Sequence, residues 1–155
     1  MTRSDSACPR MLTYKPPRIA MALVLVAASL QLAAPLPEMP GSVLAGGTIA
    51  AAGFLIMLRA WWLFRLRNTA ICPTAETTAL IKEDIYRLTR NPMYLGIMML
   101  LFGAALGTGG LPYYVAALAF FLIIDFVFCP FEEAKLRHSF GEEFAQYMAD
   151  VRRWL

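Results

Sequence analysis

Tyr86-Arg87-Leu88-Thr89-Arg90-Asn91-Pro92-Met93-Tyr94-Leu95-Gly96 joins a polar, basic segment directly to an apolar one. The cations and hydrogen-bonding side chains before Pro92 suit water, whereas roughly twenty uncharged residues follow it, about what a helix needs to span a bilayer. Proline lacks an N–H, suits the first turn of a helix and pushes the residue before it toward extended geometry. Arg90 and Asn91 are therefore expected at a helix mouth, and a ligand held there would sit at a membrane surface.

Composition sets the solvent. With 59% hydrophobic residues, 16% charged residues and a mean hydropathy of +0.55 over 155 residues, the chain is too apolar for a soluble domain of its size and too apolar for disorder. The length allows one compact bundle, so residues 1–155 read as a single membrane domain. Cys8, Cys72 and Cys129 are odd in number, far apart and form no C-x-x-C or Cys/His pair with zinc-ligand spacing, so they read as reduced thiols with no metal site. The net charge of +3 is scattered along loops, which fits anionic lipid headgroups and not nucleic acid.

Outward from the quoted stretch, the chain reads as an all-α integral membrane helical bundle of four transmembrane helices. Residues 1–18 form a basic, proline-containing lead. Residues 19–36 form a first span that ends where Pro35, Pro37 and Pro40 forbid helix. That span also has the features of a cleavable signal peptide, but its length and the spans that follow favour a retained helix. Residues 41–64 form the second span, with Gly46, Gly47 and Gly53 as small residues that let another helix approach and Trp61 and Trp62 as an interfacial belt. Residues 93–111 and 112–131 form the third and fourth, a tight hairpin turned by Gly107-Thr108-Gly109-Gly110-Leu111-Pro112. Residues 132–155 carry Phe140, Phe144, Tyr147, Met148 and Val151 at spacings of three and four, an amphipathic tail that Gly141 is placed to divide. No Lys or Arg falls in the loops Leu36–Gly41 or Gly107–Pro112; all 14 lie in the lead, the middle loop, the tail and their flanks. The positive-inside rule then places both termini and the middle loop in the cytoplasm, across an inner membrane.

Antiparallel helices of equal length bring the start of one beside the end of the other. Arg90 to Tyr94 should therefore meet Glu132 and Glu133, setting cationic, amide and phenol groups against two carboxylates. A polar ligand could enter such a site from the cytoplasm and a lipid from the bilayer. Locally, Glu133 also has Arg137 four residues on as a helix-surface partner. Arg59 and Asp125 are ionisable residues inside apolar spans; they are expected to pair with each other or with neighbouring polar groups, or to contact the polar head of a substrate. His138, the one histidine, reads as a solvated tail residue.

The pattern Tyr86-x-x-x-Arg90-Asn91-Pro92-x-Tyr94-x-Gly96, followed by Glu132-Glu133-x-x-Leu136 and Phe140-Gly141-Glu142-Glu143-Phe144-x-x-Tyr147, resembles the isoprenylcysteine carboxyl methyltransferase and phospholipid methyltransferase superfamily. The likeness runs from about Leu80 to Trp154. It implies methyl transfer from S-adenosylmethionine without a Rossmann domain, in keeping with the lack of a G-x-G-x-x-G loop. Carried over residue by residue, it implies Leu80, Ile81, Tyr86, Asn91, Pro92, Met93, Tyr94 and Glu132 as cosubstrate positions, with Arg90 and Glu132 as catalytic candidates. The acceptor is lipophilic or small: a carboxylate, an amine headgroup or a thiol. Asn91 stands where many members carry histidine; it keeps a donor and an acceptor but does not titrate. Phe128 lies one turn before Glu132, on the substrate side, where the eukaryotic carboxyl methyltransferases place an arginine. An apolar residue cannot pair with a carboxylate there, which argues against a prenylcysteine acceptor. The rival readings are an NADPH-dependent enzyme of the sterol-reductase type and a non-catalytic membrane scaffold.

Overall fold

The structure, a computed structural model, describes residues 16–34, 36–67 and 80–155. The lead up to residue 15 with Cys8, Pro35, and the segment 68–79 with Cys72 lie outside the described residues. Helices α1 (Pro16–Ala33), α2 (Val43–Leu66), α3 (Pro92–Thr108), α4 (Leu111–Ile123) and α5 (Cys129–Asp150) make up the fold, with a 3₁₀ turn at Asp84–Arg87 and a π-helical turn at Ile124–Phe128 between α4 and α5. Among the described residues there is no strand, only an isolated bridge between Glu38 and Gly110. α1, α2 and the continuous stretch Leu111–Asp150 are each long and apolar enough to cross a membrane. α3, with 17 residues, is the shorter apolar helix. The chain is an all-α integral membrane protein.

Local chemistry sets the helix ends. The Ser42 side chain caps α2 by accepting from the Ala45 N–H at 3.2 Å. Pro92 occupies the first turn of α3 and Pro112 that of α4, where no N–H is needed. α3 ends on Gly109, whose φ of +70° is the left-handed conformation that glycine adopts without Cβ strain.

α2 and α3 run antiparallel in the tightest contact of the bundle. A Cβ built on Gly46 would lie 2.5 Å from the Gly103 carbonyl oxygen, and one on Gly53 would lie 2.7 Å from that of Gly96. The spacing of seven residues on each helix returns to the same face after two turns, so the glycines form one seam. Gly47 takes no part: none of the described atoms lies within 4 Å of its Cβ position. α1 lies against α4, with Ala20 buried in the same cluster as Phe120. The main core gathers Tyr94, Ile97 and Leu101 of α3 with Phe120, Ile124, Phe128 and Cys129.

The helix that begins at Leu111 runs on through the π turn to Asp150, with a kink at Gly141 (φ +52°). Pro130 is the reason for the π turn ahead of it. Lacking an N–H and crowding the carbonyl four residues back, it disturbs the α register, and the chain responds by widening one turn. The Cys129 N–H consequently bonds to Ile124 O, five residues back. The next donor in that register, to Asp125 O, would be Pro130, which has none.

Candidate functional site

The site lies at the end of the bundle where α3 begins and the π turn passes into α5. Thr89, only 1% exposed, sets the entry to α3. Its hydroxyl donates to Arg153 O at 2.8 Å and accepts from the Asn91 N–H at 3.3 Å. The Arg90 N–H donates to Arg152 O at 3.1 Å, and Asn91 Nδ2 donates to Arg153 O at 3.3 Å. The residues ahead of α3 are thus held by the backbone of a strap, Val151–Leu155, that follows α5.

Tyr94, one turn into α3, donates its phenol hydrogen to the Glu132 carboxylate. Phe128, fully buried, sets its ring edge-on to Tyr94 at 6.5 Å between centroids and fixes the phenol's direction. Near the far end of α5, Tyr147 donates to Tyr86 O in the 3₁₀ turn at 2.6 Å. Tyr86 packs with Ile81, Ala60 and Leu63, and Met93 leans on the same cluster. Leu80 packs with Phe144, Tyr147 and Val151. Leu80 and Ile81 also line a cavity of about 320 Å³ together with Arg67, Lys82, Glu83 and Arg87.

Beside this pair is a charged network that is mostly withdrawn from solvent. Arg153 grips Glu133 with two parallel bonds, Nε to Oε1 at 2.9 Å and Nη2 to Oε2 at 2.7 Å, the strong bidentate geometry. Its remaining nitrogen, Nη1, donates to Asp125 Oδ1 at 3.0 Å and to Asp125 O at 3.3 Å. That carbonyl is the one Pro130 leaves without a helical donor. Trp154 Nε1 completes the shell on Asp125 Oδ1 at 2.9 Å. These carboxylates hold the Arg153 guanidinium well above its ordinary pKa, Glu133 being the larger cause. Arg90 sits 3.3 Å from Glu133 with its side chain 13% exposed. That contact is an ion pair without hydrogen-bond alignment: Arg90 Nε and Nη1 are buried and have no hydrogen-bond partner among the described residues.

The structure therefore brings together Arg90, Asn91, Pro92, Tyr94, Phe128, Glu132 and Glu133 where the start of α3 meets the start of α5. Two sets of alternatives left open by the sequence are decided. Arg59 and Asp125 pair with neighbouring polar groups and not with each other. Arg59 binds Asp84 through Nε at 3.1 Å and also through Nη2, and Asp125 belongs to Arg153 and Trp154. Asp84 reaches Arg59 because the 3₁₀ turn starts there with a positive φ of 58°, and the guanidinium holds its carboxyl below the usual range. Among the described residues Glu133 pairs with Arg90 and Arg153 and not with Arg137, which contacts the Met148 sulfur at 3.7 Å. Sequence reading missed Thr89, Arg153 and Trp154. The signal was present in Arg152-Arg153-Trp154, two cations and an indole closing a tail whose other cations lie before Gly141.

A model of the phospholipid methyltransferase family matches residues 42–143, from the cap of α2 past the kink in α5. A relative described as an uncharacterized protein from Haemophilus influenzae is 33% identical over 63 residues, covering 41% of this chain and 100% of its own. No solved structure matches. The matched segment contains the α2–α3 seam, the mouth of α3 and both carboxylates of the site, and it spans well over half of the sequence: the chain belongs to the phospholipid methyltransferase family.

Proposed function

We propose that the protein transfers a methyl group from S-adenosylmethionine to a lipophilic acceptor at the cytoplasmic face of the inner membrane, with both termini in the cytoplasm. The observation that carries this reading is the hydrogen bond from Tyr94 to Glu132, which links the start of α3 to the start of α5 inside the family match. The residues suit the donor. Its ammonium group and ribose hydroxyls call for a carboxylate, which Glu132 offers, and its carboxylate calls for a cation with free donors, which Arg90 offers. Leu80, Ile81, Tyr86, Met93 and Tyr94 supply apolar and aromatic surface for the adenine ring and the sulfonium.

Bound there, the donor supplies an activated methyl group on a good leaving group. The chain has to hold methyl and acceptor atom in line and keep water out. Phe128 and Tyr94 are packed to do the second, while the Tyr94–Glu132 and Thr89–strap contacts fix the walls that do the first. Phe128 offers no charge to a carboxylate acceptor, so an uncharged or amine-bearing lipid headgroup is the preferred class. Calorimetric titration with S-adenosylhomocysteine, using NADPH for comparison, tests the reading. Binding of the first is expected, and binding of NADPH alone would replace the methyltransferase with a reductase.

A further inference from the structure

We propose that Arg153 is a positioning residue of this site: by taking Glu133 in a two-point grip, it keeps that carboxylate from capturing Arg90 and leaves the Arg90 guanidinium to receive an anionic oxygen of the ligand. The inference rests on the methyltransferase reading above and names what Arg90 is for.

Two arginines face one carboxylate and hold it unequally. Arg153 makes two aligned bonds to Glu133 at 2.7 and 2.9 Å, whereas Arg90 stands at 3.3 Å with no aligned bond. A guanidinium that can reach a carboxylate normally closes on it with paired N–H bonds, because the two planar groups match. Arg90 is prevented from doing so by position. Its backbone is tied to Arg152 O, Thr89 and Asn91 are tied to Arg153 O, and both Glu133 oxygens already accept from Arg153. Arg153 is itself fixed by Asp125 and by the carbonyl freed at the π turn, with Trp154 bonded to the same carboxylate and its ring tilted against Phe121 at 5.7 Å between centroids. The result is a buried cation with two N–H-bearing nitrogens that have no hydrogen-bond partner among the described residues. Buried donors without partners are rare, and each costs free energy comparable to a lost hydrogen bond. At a ligand site, such a group is held ready for an anionic oxygen. Two sources share that chemistry: the carboxylate of the methyl donor and the phosphate of a lipid acceptor.

The test uses the full chain in detergent, with S-adenosylhomocysteine, the carboxylate-free 5′-methylthioadenosine and a short-chain phosphatidic acid as probes, and Arg153→Gln, Glu133→Gln and the double variant as proteins. In Arg153→Gln, Glu133 turns to Arg90, and the anionic probe should bind about tenfold or more weakly. The double variant should recover most of that affinity, because an amide does not capture the guanidinium. Loss for S-adenosylhomocysteine but not for methylthioadenosine identifies the donor carboxylate as the anion. Loss confined to phosphatidic acid identifies the phosphate. Equal affinity in wild type and Arg153→Gln overturns the inference and leaves the methyltransferase reading standing. Loss without recovery in the double variant reduces Arg153 to a structural role and overturns it as well. Should Arg153→Gln fail to fold, Glu133→Gln alone decides: unchanged or tighter anion binding supports the inference, and a tenfold loss contradicts it. Wild-type protein that binds phosphatidic acid but not S-adenosylhomocysteine defeats the methyltransferase reading alone, and wild type that binds neither defeats both.

Discussion

The α2–α3 seam and the mouth of α3 share one helix, Gly96 and Tyr94 lying within a turn of each other, yet they are held by opposite means. The seam is backbone against backbone, with glycines replacing side chains so that two helices can close. The mouth is side chain against side chain and strap, a polar network assembled from α3, the π turn, α5 and residues 151–154. A seam of that kind does not tolerate added volume and is indifferent to charge. The network at the mouth is the reverse. Its geometry is specific, and it is a poor source of stability, since desolvating several charges offsets much of what their attraction contributes. The scaffold therefore carries rigidity in one place and chemistry in the other.

Substitutions separate the two. The largest effect is expected at the seam. Gly46→Leu drives a side chain into Gly103 O and Gly107 and should leave no folded protein in detergent, whereas Gly46→Ala should cost about 1–3 kcal/mol, the range for overpacking. Gly47→Ala, one residue along on the open side, should be neutral or stabilising by up to ~1 kcal/mol through helix propensity, and equal melting losses at both positions would break the contrast. Next comes Glu132→Gln, expected to weaken S-adenosylhomocysteine binding about tenfold or more while the chain stays folded. Thr89→Val keeps the shape but removes the hydroxyl that joins Asn91 to the strap; it should cost about 1–3 kcal/mol in chemical unfolding. The smallest effect belongs to Arg59→Gln. Its pair with Asp84 lies on the outside of the bundle near the end of α2 and is not enclosed by the protein, and the unfolding midpoint in detergent should not move. A large loss there would show that the pair belongs to the site.

Much of this was legible in the sequence, because it depended on local signals. Three prolines, a glycine-rich turn and uncharged stretches of membrane length define the helical elements, and the meeting of Arg90 to Tyr94 with Glu132 and Glu133 follows from antiparallel packing. What escaped depends on non-local geometry. Arg137 is four residues from Glu133 and Arg153 is twenty, so periodicity favours the wrong partner until the strap is seen folding back across the helix mouth. Asp84 was hidden as the partner of Arg59 because the two are twenty-five residues apart and meet only through the left-handed turn at Asp84, which local spacing does not reveal. The π turn that absorbs Pro130 without breaking the helix was not foreseen, and the carbonyl it frees becomes a ligand of Arg153. Of the small residues in α2, Gly46 and Gly53 serve the seam and Gly47 does not, a distinction only the partner helix can make.

The measurement that bears most directly on the methyltransferase assignment is calorimetric titration of the detergent-purified protein and its Glu132→Gln variant with S-adenosylhomocysteine and, separately, NADPH. Micromolar binding of S-adenosylhomocysteine alone, weakened at least about tenfold in the variant, is the expected result. Folded wild-type protein that takes up NADPH alone, or neither ligand, would contradict it.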